Sequence, residues 1–438
     1  MRANNRIRNM TISLDTAQVF QKTILPGGLR LVTCEMDQTR SVAISIFIGV
    51  GSRYESAEEA GISHFIEHLV FKGTEARPDP VQISGTIEGT GGVLNAGTEQ
   101  ELTVYWCKVA ERHFGESLDL LVDMLRNSLF EPESIEKERM VVLEELSSIN
   151  DYPAARVDSM IDEMLWPGHP LGRDIGGTKE SLSCITREAM LRHLSNYYTP
   201  ANTVISVAGN IRTADVVERV AMLCADWPNA EPDGWTPVTH VQSESQLRVE
   251  YRRTEQVNLS IALPGLGAPH PKRHALDLLS IVLGEGMSSR LFVELREKRG
   301  LAYDVHSGVT NFQDCGAFLI TAGVAPNRVY DAVTTILEQV GGMRERVPDE
   351  ELEKTKRLVE GRLLLRMEDT RAVSNWMGSQ ELLRGQILSV DDVVQQVNEV
   401  TSEEVRNVAE DILATENLNM AVVGPCRGYK RLERLLRL

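Results

Sequence analysis

Cysteine is scarce in these 438 residues, long apolar runs are absent, and each shortage removes a class of protein. Six cysteines stand at 34, 107, 184, 224, 315 and 426, with no CxxC pair and gaps of 40 residues or more. That spacing fits neither a disulfide-stapled secreted domain nor a thiolate zinc cluster, so the thiols are read as reduced and mostly buried. The longest apolar stretch, Val42 to Val50, is too short to cross a bilayer and reads as a buried strand. Basic charge is short as well: 46 Lys and Arg face 63 Asp and Glu, a formal net charge of -17. Neither nucleic acid nor a membrane is therefore expected as a partner. The first ten residues, MRANNRIRNM, carry Arg2, Arg6 and Arg8 without an apolar core, so no secretory signal is expected. The expected compartment is the cytoplasm, with an organelle matrix as the alternative.

What is present suffices for a folded chain of more than one domain, since 42% of the residues are hydrophobic. The sequence also repeats itself. Strand-like Val42 to Val50 is followed by a helical stretch near Glu58 to Phe71, and a strand is expected from Thr98 to Val109. Helical patterns follow from about Arg112 to Ser128 and from Pro132, where the missing N–H is harmless in a first turn. Asn202 to Gly209 closes this half as an apolar strand. The same order returns with the strand Val257 to Leu263, the helical HALDLLSIVL, the strand-like SGVT and GAFLITAGV, two helical patterns, and a strand ending at Gly424. Val42 and Val257 are 215 residues apart, as are Gly209 and Gly424. Equal offsets at both ends argue for duplication. The expected organisation is α+β, with two homologous domains at 1–227 and 246–438 and a Pro-rich polar linker at 228–245. Each domain is expected to be a mainly antiparallel sheet covered by helices.

The strongest chemical signal is His64-Phe-Ile-Glu67-His68. Residues four apart share a helix face, so the two imidazoles can present nitrogens to one ion, with Glu67 in reach of a water beside it. Zinc at such a site needs a third protein ligand. In the helix beginning at Pro132, a period of 100° per residue places Glu145 about 20° from Glu138, inside a stripe with Ile135, Val142, Leu146 and Ile149, and sends Glu144 about 120° away. Two carboxylates on a core-facing stripe are costly unless paired or metal-bound. Either Glu145 or Glu138 is therefore the expected third ligand, and the other supports the site.

HFIEH followed by a glutamate 77 residues after the second histidine resembles the inverzincin metallopeptidases, the family of pitrilysin, insulin-degrading enzyme and the mitochondrial processing peptidase. GGVLNAGTEQELTVY, ERMVVLEEL and SSRLFVELREKRGLAYDV carry the resemblance across nearly the whole chain. It implies His64, His68 and Glu145 as zinc ligands, one zinc per chain, Glu67 as general base, and Glu138 as the supporting acid. It further implies Asn95 and Ala96 as substrate-backbone contacts beside an edge strand. Arg296 and Tyr303 match a pair from the second half that approaches the active site when the halves close around a peptide. Two domains make half of a clam-shell chamber, so a homodimer is expected. LGEGMSSR has only two glycines, unlike the long glycine-rich loop of the family's noncatalytic subunit, which implies the catalytic type. The expected activity is zinc-dependent endopeptidase action on unfolded peptides or short polypeptides, leader peptides among them. The alternatives are a structural or assembly subunit and a peptide-binding module of the same fold.

Overall fold

The computed structural model describes residues 8–12, 20–239 and 241–438, which form two compact units. The first unit holds a seven-stranded sheet built from β1 (Arg8–Ile12), β2 (Phe20–Ile24), β3 (Arg30–Glu35), β4 (Ser41–Ile48), β5 (Val93–Thr98), β6 (Thr103–Ala110) and β7 (Thr203–Gly209), in the order β1-β2-β3-β7-β4-β6-β5. The second holds β8 (Gln246–Tyr251), β9 (Val257–Gly265), β10 (Ala302–Asn311), β11 (Gly316–Val324) and β12 (Asn419–Gly424), in the order β10-β11-β9-β12-β8. Read from β8, the second order matches the first from β3 onward, strand for strand. In each sheet one pair is parallel, β3 with β7 and β8 with β12, and the rest are antiparallel. The duplication therefore extends to topology, and the fold is α+β with two homologous sheets.

The two glycines that end the repeats occupy equivalent places. Gly209 has φ 142° and Gly424 φ 152°. A Cβ on Gly209 would lie 2.7 Å from the Cα of Val42, and one on Gly424 would lie 2.9 Å from the Cα of Val257. Only glycine admits that backbone and that approach, so the offset of 215 residues records a repeated packing contact.

One expectation needs correction. The strand expected from Thr98 to Val109 is broken by a turn: β5 ends at Thr98 and β6 begins at Thr103. The amide of Glu99 bonds the carbonyl of Leu102 across this hairpin, and Asn95 and Ala96 lie inside β5 rather than beside a strand. The compact units also divide the chain differently from its sequence repeat. The division between Thr236 and Pro237 falls inside the expected linker, but the units are not the two sequence halves. Residues 146–173 belong with the second unit and 363–389 with the first.

Packing explains that exchange. Helix Thr370–Arg384 lies on β4 and β7, with Val373, Ser374, Met377 and Gly378 buried. The Ser374 hydroxyl bonds the Ser45 hydroxyl at 2.8 Å and the Ser206 carbonyl at 2.9 Å. The Ser206 hydroxyl returns to the Ser374 carbonyl at 2.7 Å, so every buried hydroxyl of the trio has a partner. In the second unit, helix Pro153–Leu165 lies on β9 and β12, where Val157, Met160, Ile161 and Met164 meet Ala262, Ala317, Ala421 and Val423. Small residues on each sheet face make room for a helix that the hydrophobic period alone does not assign to a sheet.

Candidate metal centre

Helix Ile62–Leu69 carries the two histidines because its sequence has two faces. Ile62, Phe65, Ile66 and Leu69 are buried, which leaves His64, Glu67 and His68 on the other side, partly exposed. Its start is fixed twice. Gly61 turns into the helix at φ 92°, back to back with Gly177, and a Cβ there would lie 2.4 Å from the carbonyl oxygen of Gly176. The buried carboxylate of Glu55 accepts the amide of Gly61 at 2.7 Å and that of Ser63 at 2.9 Å. A negative charge on free N–H groups at a helix start suits the helix dipole and satisfies donors that have no partner within the helix.

Helix Pro132–Asp151 supplies the carboxylates. Ile135, Glu138, Val142 and Leu146 are buried, Glu145 is half-buried, and Glu144 is exposed, as the helical period predicts. His64 Nε2 and His68 Nε2 lie 3.2 Å apart. Glu145 Oε2 is 3.5 Å from His68 Nε2 and 3.9 Å from His64 Nε2. His68 Nδ1 faces Glu138 Oε2 at 3.3 Å, and the other oxygen of Glu138 is paired with Lys72 Nζ at 2.8 Å. Glu67 Oε2 accepts the hydroxyl of Thr98 at 2.5 Å.

These distances test a zinc ion directly. Donors held about 2.0–2.1 Å from a tetrahedral zinc lie roughly 3.3 Å from one another. The three facing atoms of His64, His68 and Glu145 are separated by 3.2, 3.5 and 3.9 Å. Among the described residues this is the one group of three such side chains spaced to hold a metal ion. Two imidazole nitrogens and a carboxylate oxygen suit zinc, and Glu138 opposite Nδ1 of His68 would fix the tautomer that leaves Nε2 free to bind. Burial and the neighbouring His68 push His64 down to about 4, so its imidazole is neutral at pH 7, as a ligand must be. Nδ1 of His64 is buried and has no hydrogen-bond partner among the described residues. Burial pushes the Glu67 carboxyl up, opposed by hydrogen bonds from Thr98 and by the nearby His68. A carboxylate held in that balance can take up and release a proton.

The remaining expected residues are placed as follows. Asn95 and Ala96 lie in β5, which among the described residues pairs only with β6 and so forms an edge of the first sheet. The Asn95 side chain accepts the amide of Ala96 at 2.7 Å. In the second unit, Arg296 and Tyr303 are brought together: Nη1 of Arg296 donates to the Tyr303 carbonyl at 3.1 Å, and its guanidinium lies 4.8 Å from the centre of the Tyr303 ring. Tyr303 is 74% exposed, so its hydroxyl is not consumed by the core. Thr98 and Glu55 were not anticipated. Thr98 is the first residue of the expected strand, where no local pattern marks it as a partner of Glu67, and nothing local marks Glu55 as the cap of a helix that starts seven residues later.

The family described as Insulinase (Peptidase family M16) matches residues 30–179, and the Peptidase M16 inactive domain matches residues 185–359. A Streptomyces coelicolor protein named an uncharacterized zinc protease is 34% identical, over 95% of this chain and 91% of its own length. The Bacillus subtilis protein named uncharacterized zinc protease YmxG is 34% identical, over 91% of this chain and 97% of its own. Among solved structures, a protease from Helicobacter pylori superposes with a TM-score of 0.86 at 24% identity, covering 93% of this chain and 99% of that one. The histidine and glutamate helices fall within the first matched region, and the chain belongs to the M16 family of peptidases as a short, two-domain member.

Proposed function

We propose that the chain is a zinc-dependent endopeptidase that hydrolyses peptide bonds in unfolded peptides or short polypeptides, with leader peptides as one substrate class. The observation that carries this reading is the convergence of Nε2 of His64, Nε2 of His68 and Oε2 of Glu145 at tetrahedral spacing, next to a glutamate that is not among the three. His64, His68 and Glu145 would hold the zinc, which would supply a Lewis acid for the water and the scissile carbonyl. Glu67 takes the proton of the attacking water and delivers it to the leaving amine. Asn95 and Ala96, on the edge strand β5, pair with the main chain of an extended peptide, which binds it with little demand on its sequence. Arg296 and Tyr303 are assigned to the developing oxyanion as donors. The working assembly is a homodimer, with one zinc per chain, in the cytoplasm.

The test combines metal content with cleavage. Purified protein should hold about one zinc per chain by elemental analysis, and should cut a set of unstructured peptides in a way that a chelator stops and zinc restores. Glu67→Gln should keep the zinc and lose cleavage. Protein that holds no zinc, leaves every peptide intact, and forms a stable complex with a different chain would instead be an assembly subunit. Saturable peptide binding with unchanged peptide mass would make it a binding module.

A further inference from the structure

We infer that Thr98 is a positioning residue for Glu67, an inference that rests on the peptidase reading above. Glu67 lies on helix Ile62–Leu69 and Thr98 is the last residue of β5, the strand that also carries Asn95 and Ala96. The Thr98 hydroxyl donates to Oε2 of Glu67 at 2.5 Å, among the shortest side-chain hydrogen bonds around the site. A hydroxyl bonded to a carboxylate is charge-assisted, and it fixes the rotation of the carboxyl plane that the long Glu side chain leaves free. With Oε2 held by Thr98, Oε1 is the oxygen assigned to the proton of the attacking water.

The same contact ties the base to the substrate. A peptide paired along β5 is registered against Asn95 and Ala96, and Thr98 stands two residues further along that strand. One rigid strand thus sets both the height of the scissile bond and the direction of the carboxylate that serves it. A misplacement of about 1 Å in such a group lowers turnover about 100-fold, while the binding contacts are untouched. Thr98 touches neither substrate nor ion in this scheme and acts only through Glu67.

Thr98→Val removes the hydroxyl and keeps the shape, and Thr98→Ser keeps the hydroxyl. In peptide cleavage, Thr98→Val should lower kcat about 10- to 100-fold at unchanged KM and unchanged zinc content. Thr98→Ser should return kcat close to the parent's. In a Glu67→Gln background, the valine substitution should cause no further loss of residual turnover. A second readout needs no turnover. In the metal-free protein, the Tm shifts caused by Thr98→Val and Glu67→Ala should fail to add in the double variant, because the bond between hydroxyl and carboxylate is already absent from each single one. Parent kcat in Thr98→Val overturns the inference, as do equal losses in Thr98→Val and Thr98→Ser, or strictly additive Tm shifts. Failure of the peptidase reading looks different: the parent itself cleaves nothing, and the additivity of the Tm shifts still decides the Thr98 contact.

Discussion

A buried imidazole makes the first unit sensitive to acid. His193 lies on helix Arg187–Tyr197, 3.4 Å from the hydroxyl of Ser63 on helix Ile62–Leu69, with its ring against Tyr197. Burial pushes it down to about 3, so the folded protein holds it neutral where an unfolded chain would protonate it. The folded value lies below the unfolded one of about 6.5, so its contribution is full above pH 6.5 and is lost as pH falls toward 3. One proton amounts to about 1.4 kcal/mol per pH unit, hence up to about 2 kcal/mol between pH 6.5 and 5. His193→Phe keeps the ring and cannot take the proton, so its urea midpoint should fall less steeply over that range. Both proteins should be measured free of metal, to keep zinc release out of the comparison. Parallel curves would show that His193 is protonated without cost. At this scale much of the site was legible. The helical period separated Glu145 from its neighbour Glu144, and the structure leaves Glu144 exposed. The period alone did not choose between Glu145 and Glu138, because both lie on one stripe; the fold separates them by setting Glu145 Oε2 against the two Nε2 atoms and Glu138 Oε2 against Nδ1 of His68. The Thr98 contact was not legible, since a 31-residue separation hides any pair that meets only through the fold.

Helices and strands were legible where their period was strong, and their partners were not. Helix Arg273–Gly284 and strand β7 fall close to where their apolar patterns place them. The alternation of TEQELTVYWCKV, however, overran a hairpin, because Glu101 and Leu102 continue the pattern through a turn held by backbone bonds. Nothing in the pattern of residues 370–384 says which sheet the helix covers, although its small residues hint at a close approach. Gly378 shows how close. A Cβ there would lie 2.1 Å from the ring of Phe47, and Phe47 is fully buried in β4. Gly378→Ala would ordinarily favour a helix, by up to about 1 kcal/mol. Here overpacking should reverse the sign and cost about 1–3 kcal/mol. Thermal unfolding of the variant should show a lower Tm. The paired substitution Phe47→Leu should recover part of the loss in the Gly378→Ala background. A Tm at or above the parent's would mean that the helix slides away from β4 at no cost.

Each compact unit is completed by a piece of chain from the other half of the sequence, so neither half carries a whole core. The first unit needs 363–389, and the second needs 146–173. A fragment of residues 1–236 would hold His64, His68 and Glu145, the seven strands and helix Ile62–Leu69, but would lack helix Thr370–Arg384. It would lose the buried side chains of Val373 and Met377, each contributing roughly 1.5–3 kcal/mol, and leave the Ser45 and Ser206 hydroxyls without their partner. It would also leave Lys22 and Arg30 without Glu381, which is buried against both. A total of several kcal/mol is comparable with the whole net stability of a domain, about 5–15 kcal/mol. The fragment 1–236 should therefore show no cooperative unfolding transition and should bind zinc weakly. The fragment 237–438 should fare no better, since it lacks the Val157, Met160, Ile161 and Met164 face that packs on β9 and β12. Mixed in equal amounts, the two fragments contain every segment of both units, and they should regain near-UV circular dichroism, one zinc per pair and a cooperative transition. A fragment 1–236 that unfolds cooperatively near the Tm of the intact chain would show that the exchanged helix is an accessory. Recovery only on mixing would show that the duplicated halves, although each repeats the same sheet, have become dependent on one another for folding.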